Sequence, residues 1–438
     1  MKSDNNQDSR NSSSSIRRRL FLIVGVVGLV YVMSQFFRTA NGVIAKDLSF
    51  DFSLTPEGLG ILTGVFFLSF AIVQIPVGML FDRFGVRVIM PIFLLLAIAG
   101  SIIFGISNSV TELLIGRIMM GCGVAPVLMG ALFIFGRWAD PSEFSTWMGR
   151  MVAIGSVGAL LSATPLAWVA QDYSWRFAFY GAAVVTAIGA GLIWMVVRND
   201  PPNPVKKLEN TDSVNKKNEN LRQSIYGLGS ILVNRKLWPI LAMAFVSYPV
   251  TITILGLWGA PWLVDVYGLD KVAAGNIMLW MAIALMFASI ALGPIEKKLN
   301  MRKWLAISCS MTIGISLLIL AIWPKAPITI AIILVIIIGL ASSHNIVLAS
   351  HGRSLFPSNL AGRGMSLFAI AFMGGPFIMQ SLTGLIVGSF KSDTFATADL
   401  NVDAYRAVFG FLAGAILIAN LFYLRVPDSR PSHGFEQS

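Results

Sequence analysis

Charge is scarce in this chain: 13% of its 438 residues are Asp, Glu, Lys or Arg, where soluble domains carry about a quarter. That shortage excludes an ordinary soluble globular protein. The two cysteines, Cys122 and Cys309, fall in apolar segments of different halves, which excludes a disulfide framework. His344, His351 and His433 are scattered, so no zinc constellation forms and no metal is expected. A G-x-x-x-x-G-K-[ST] run is absent, and with it a phosphate loop for ATP. No nucleophile stands beside a base, so an enzyme is not expected, nor a cofactor. The most informative absence is of buried acid. Asp47, Glu57, Asp172 and Asp265 sit near one set of segment ends, Asp82, Asp140, Glu143 and Glu296 in turns at the other, and none is clearly central.

What is present is oil. Hydrophobic residues make up 55% of the chain and the mean hydropathy is +0.73. Apolar windows long enough to cross a hydrocarbon core of about 30 Å recur throughout. They give twelve helices, at 20–44, 57–81, 88–107, 111–134, 146–169, 176–197, 238–263, 272–294, 303–323, 327–350, 364–388 and 405–424. The expected class is an all-α polytopic membrane protein. The net charge of +11 raises nucleic acid as a partner, but its distribution argues otherwise. With the amino terminus cytoplasmic, about 25 Lys/Arg fall inside and about six outside, the bias that sets membrane topology. The partner is therefore the lipid bilayer, in a multi-pass protein of the cell (inner or plasma) membrane with both termini cytoplasmic. The first run follows Arg17, Arg18 and Arg19 but is too long for a signal peptide and lacks a cleavage site, so it reads as a retained helix.

One polar interruption, 198–237, holds Pro201, Pro202, Pro204, Lys206, Lys207, Lys216 and Lys217 and reads as a flexible cytoplasmic linker. It divides the chain into a six-helix bundle at 20–197 and another at 238–424, flanked by a disordered 1–19 and a tail at 425–438. Sliding the chain by 215 positions supports the division. Leu54, Gly60, Ile75, Gly78, Arg83, Phe84 and Arg87 then meet Leu269, Gly275, Ile290, Gly293, Lys298, Leu299 and Arg302. An offset one larger aligns Pro141-Ser142 with Pro357-Ser358. Parallel repeats of this kind imply a pseudo-twofold axis along the membrane normal and a cavity between the halves.

Two motifs give the pattern a family. Gly78 to Arg87, GMLFDRFGVR, lies between helices two and three and resembles the major facilitator superfamily signature G-x-L-a-D-r-x-G-r-k, departing where Val88 replaces a basic residue. Gly78 permits close helix approach, Gly85 a turn, and Asp82, Arg83 and Arg87 can pair with neighbouring helix ends. The resemblance implies that this loop latches the cytoplasmic side. Arg117 to Ala125, RIMMGCGVA, is similar to the superfamily's R-x-x-x-G-x-G-x-A, which implies a coupling or gating role for Arg117; the alternative is snorkelling to the interface. Gly155 to Leu161 lacks the glycine-proline core of drug/proton antiporters, which counts against multidrug export.

The first helix carries Arg38, and a charge at helix centre costs roughly 2.5–3.5 kcal/mol on insertion scales. Tyr31, Ser34, Arg38 and Asn41 share one helical stripe, with Gln35 beside it. In the superfamily the first helix of each half lines the cavity, so the resemblance places this stripe against substrate. A guanidinium without a carboxylate suits a bidentate grip on an anion. Two other readings stand: Arg38 snorkels to the outer interface, or pairs with an outer-end acid. Further candidates are Tyr248, Trp258 and Trp262, the tryptophans also fitting an interfacial anchor, together with Asn345 and Gln380. His344 suits proton coupling or plain packing. The expectation is a monomeric secondary transporter of a small organic anion working by alternating access, with protons as coupling ion. The alternatives are an exporter of amphiphilic compounds and a transporter-like receptor.

Overall fold

The structure, a computed structural model, describes residues 4–138, 144–199, 235–355, 361–390 and 402–428. Among them every regular element is helical, and twelve helices are long and apolar enough to cross a membrane. In chain order these are α1 (Arg18–Val43), α2 (Pro56–Phe84), α3 (Val86–Ile106), α4 (Val110–Trp138), α5 (Trp147–Asp172) and α6 (Trp175–Val196). The second set is α7 (Trp238–Tyr267), α8 (Lys271–Leu299), α9 (Lys303–Ile322), α10 (Ile328–Leu355), α11 (Leu367–Gly388) and α12 (Val402–Tyr423). A short helix, Ala45–Phe52, follows α1.

Local chemistry sets the ends. Thr55 caps α2, its Oγ1 accepting from the Gly58 amide at 3.2 Å, with Pro56 pre-set at the first helical position. Asp270 caps α8 in the same way, accepting from Ala273 at 2.6 Å. Several spans are interrupted: α4 at Ala125 ahead of Pro126, and α10 at Ser343. In α7 the stretch Ile254–Trp258 winds as a π-helix.

The spans pack as two six-helix bundles. In the first, α3 packs on α4 and α6, and α1 on α5; in the second, α9 packs on α12 and α10, and α7 on α11. The bundles meet along α2 and α11, α5 and α8, and α1 and α7, contacts related by the pseudo-twofold that the repeat implied. At the α1–α7 crossing, Gly42 and Gly256 allow backbones to touch: a Cβ on Gly42 would stand 2.9 Å from the Leu255 carbonyl, and one on Gly256 2.9 Å from that of Arg38. We call the side where α1 begins and α12 ends the termini face, and its opposite the far face.

Three expectations change. The helix of α1 runs back to Asp4, because residues 4–20 contain neither glycine nor proline to stop it, so most of 1–19 is helical. Residues 78–84 of the signature are the last turns of α2, leaving Gly85 alone as the turn. Helix α8 likewise extends to Leu299. Most of the linker (200–234), the tail from 429, Asp140 to Glu143, and Pro357-Ser358 lie outside the described residues.

Candidate functional site

One stripe of α2 orders the centre of the molecule. Gly60, Thr63, Phe67 and Phe70 recur at helical spacing and so share a face. Phe70 lies beneath the Arg38 guanidinium at 4.7 Å, and Phe67 meets the Tyr248 ring edge-on at 6.4 Å. Thr63 Oγ1 accepts from Asn41 Nδ2 at 3.1 Å, while Gly60 touches the backbone of Gln380 on α11. Arg38 and Asn41 come from α1, Tyr248 from α7 and Gln380 from α11, so both halves contribute.

Arg38 is 3% exposed. Its Nη2 donates to Ser34 Oγ at 3.4 Å, one turn back toward the termini face, and its Nε has no partner. The side chain therefore turns into the bundle rather than snorkelling outward. Pairing with an outer-end acid is also excluded. Asp265 is held by Lys46 and by the Tyr405 hydroxyl, which donates at 2.5 Å, and Asp47 by Lys271 at 2.6 Å. Among the described residues no carboxylate pairs with Arg38.

Arg117 on α4 is fully buried, which overturns snorkelling for it as well. Nη1 donates to the Phe37 carbonyl at 2.8 Å, and the guanidinium rests on Phe66 at 4.9 Å. Nε and Nη2 have no partner. The two arginines thus flank the Phe66–Phe70 pair, whose rings are 6.4 Å apart, and Arg117 is anchored to the residue preceding Arg38. Cation–π contact supplies about 0.5–2 kcal/mol each, and among the described residues no carboxylate compensates either charge.

The remaining candidates divide. Tyr31 lies against Gly155 of α5 and within electrostatic reach of Arg38 and Tyr248. Gln35 is half-buried beside Gly158, and Tyr248 stacks on Phe372 at 4.3 Å. Gln380 is buried with both amide atoms unpartnered, as is Asn41 Oδ1. The tryptophans are not interfacial anchors, since both are fully buried. Trp258 donates to Thr383 at 2.9 Å, and Trp262 packs edge-on against Phe409, inside the second bundle. His344 also lies within that bundle. Its Nε2 is 2.5 Å from Ser247 Oγ and its Nδ1 2.8 Å from the Ala341 carbonyl, and Ser247 also donates to Asn345 Oδ1 at 2.8 Å.

On the far face two crossed ion pairs join the halves. Lys46 and Asp47 of the short helix reach Asp265 on α7 and Lys271 on α8, with the charges reversed between the pairs. Beside them lies a cavity of about 170 Å³ lined by Gly42, Val43, Lys46, Pro261 and Lys271 among others. Burial pushes the Asp47 carboxyl above its ordinary range, against the opposing pull of Lys271. Thr164 and Asn276 add a bond of 2.7 Å between α5 and α8.

The family model described as Major Facilitator Superfamily matches residues 27–379. The chain belongs to the major facilitator superfamily. Among similar proteins of the superfamily are an uncharacterized transporter, YybO, of Bacillus subtilis (strain 168), 24% identical, and a probable L-galactonate transporter of Escherichia coli (strain K12), 26% identical. A hexuronate transporter of Bacillus subtilis (strain 168) is 23% identical. These matches take in 56%, 56% and 55% of the chain and 58%, 53% and 56% of the relatives, so the chain spans little more than half the length of each. A solved D-xylose-proton symporter shares the fold with a TM-score of 0.73 at 17% identity, covering 93% of this chain and 98% of that one.

The superfamily signature has a local role in this structure. Gly85 adopts φ +78, and the Arg87 amide donates to Asn199 Oδ1 at 3.1 Å while its Nε donates to the Trp194 carbonyl at 3.0 Å. Arg83 lies over Phe84, and Gly78 faces Met129 of its own half. Gly85 and Arg87 are thus fastened to the end of α6 within one bundle. Sequence reasoning missed the far-face pairs and the α2 phenylalanines. Lysines and aspartates at segment ends carried a signal for the first; phenylalanines in a membrane helix carried none for the second.

Proposed function

We propose that the protein is a secondary transporter that moves a small organic anion by alternating access between its two halves. The observation that carries this is the pair of buried guanidiniums, Arg38 and Arg117, with free N–H groups and no carboxylate among the described residues. An uncompensated charge in low dielectric is costly, and an incoming carboxylate or sulfonate removes that cost while accepting charge-assisted hydrogen bonds. The relatives support the class: they include transporters named for L-galactonate, hexuronate and sulfoacetate, all organic anions. The lysine and arginine distribution supports a cytoplasmic termini face, with the crossed pairs on the outer side.

His344 supplies a reason to couple the anion to protons. The contacts to Ala341, Ser247 and Asn345 need three protons, since both carbonyl oxygens only accept. A neutral imidazole and one hydroxyl bring two. Protonation of His344 supplies the third proton and completes the network.

The test is uptake by proteoliposomes of isotope-labelled galactonate and sulfoacetate under an inward proton gradient. At least one accumulates with wild type, neither with Arg38→Gln, and His344→Asn uncouples accumulation from the gradient. Equal uptake by wild type and Arg38→Gln would sink the proposal.

A further inference from the structure

Along the α2 stripe the neighbouring side chains pass from charged to neutral polar. At the Phe70 level stands the Arg38 guanidinium; at Phe67 the ring of Tyr248; at Thr63 the Asn41 amide; at Gly60 the Gln380 residue. At 1.5 Å per residue, Thr63 lies about 10 Å and Gly60 about 15 Å along the axis from Phe70.

The polar end has unfilled hydrogen-bonding capacity. Gln380 is fully buried and neither its Nε2 nor its Oε1 has a partner. Asn41, also fully buried, uses its Nδ2 on Thr63 and leaves Oδ1 empty. A buried amide left unpaired costs about 1–3 kcal/mol per group, and native proteins keep few such groups without a use. One donor and two acceptors facing a neutral partner match hydroxyl groups, which donate and accept at once.

We infer that Asn41 and Gln380 form a second subsite that binds the hydroxyl-bearing end of the solute, so that the anion carried is a polyhydroxylated acid lying along α2 with its charged end at Arg38. This rests on the anion reading above and narrows its substrate class. Subtracting a hydrogen bond of about 3 Å at each end leaves roughly 4–9 Å for the solute, which fits acids of roughly four to seven chain atoms. Tyr248 and Phe67 between the two ends offer flat apolar surface to the carbon chain. Because the amides lie on the far-face side, the hydroxyl end is released last into the termini-face side and contacts both halves, α1 and α11, when the far face closes.

The test is calorimetric or thermal-shift binding of galactonate and of hexanoate, the same carbon chain without hydroxyls, to the purified full-length protein. Wild type binds galactonate at least roughly tenfold tighter than hexanoate, the discrimination expected when a site built for hydroxyls meets an analogue lacking them. Gln380→Met, an apolar side chain of similar length, weakens galactonate about tenfold and leaves hexanoate unchanged, collapsing the ratio. Gln380→Asn, which keeps the amide, retains part of it, so a general folding defect is distinguished from loss of the subsite. Equal affinity of wild type for the two acids, or an unchanged ratio in Gln380→Met, would overturn the inference while leaving the anion reading intact. Absence of binding by both acids and by sulfoacetate would overturn the anion reading, and this one with it.

Discussion

The far-face pairs make a quantitative claim about gating. Asp265 has a side chain only 1% exposed and is shared by Lys46 and Tyr405, whereas Lys46 is 32% exposed. In Asp265→Asn the shape and the Tyr405 partner survive, but the charge that Lys46 faces is lost. Removing one partner of a fully buried pair costs about 3–5 kcal/mol because the other charge is stranded. Lys46 can turn to water, so the cost falls to about 1–2 kcal/mol, which changes the open-to-closed ratio roughly 5- to 30-fold. Val43 lines the adjoining cavity and is 6% exposed, so a cysteine there reacts with an impermeant maleimide only when the far face opens. In Val43→Cys the modification rate from outside rises about 5- to 30-fold on adding Asp265→Asn. The charge exchange Lys46→Asp with Asp265→Lys brings it back down. An unchanged rate in both Asp265→Asn and Lys46→Gln would refute the claim that these pairs hold the far face shut.

Other consequences follow from the same contacts. Arg38→Lys keeps the charge but loses the planar fork and the Ser34 bond, so anion affinity falls about tenfold, measured by calorimetry, against about a hundredfold for Arg38→Met. Because closure buries Asp47 and raises its carboxyl, the closed state binds a proton more tightly than an open, hydrated one. Acidification therefore favours closure. Spin labels at Tyr173→Cys and Lys325→Cys, both exposed, report a growing closed population as pH falls, and Asp47→Asn removes that growth. A Cβ on Gly121 would come 2.3 Å from the Phe66 carbonyl, so Gly121→Val forces α2 and α4 apart and lowers the thermal midpoint, with a cost of about 1–3 kcal/mol.

Much of this architecture could be read from the sequence, because membrane helices must satisfy their backbones internally and so declare themselves as long apolar runs. The offset of 215 residues exposed the repeat before any packing was known. Arg38 was legible for the converse reason: a permanent charge in such a run needs an explanation. What was not legible is which way a helix faces. Arg117 read equally well as a snorkelling side chain, and only its bond to the Phe37 carbonyl places it inside. Trp258 and Trp262 sit near a helix end where anchors are common, yet the packing of α7 against α11 and α12 buries them. Phe66, Phe67 and Phe70 are indistinguishable in sequence from lipid-facing residues. The sequence places Asp47 and Asp265 near segment ends, but their pairing with Lys271 and Lys46 depends on contacts between residues over two hundred positions apart.

Holding an anion is the role proposed for two arginines that pair with no carboxylate among the described residues. Its most direct measurement is equilibrium binding of galactonate and of galactose, the uncharged sugar of the same stereochemistry, to wild type, Arg38→Gln and Arg117→Gln. Wild type binds the acid and not the sugar, and each substitution weakens the acid by about a hundredfold, as loss of a charge-assisted pair requires. Binding of galactose as tightly as galactonate, or of galactonate as tightly by Arg38→Gln as by wild type, would contradict it.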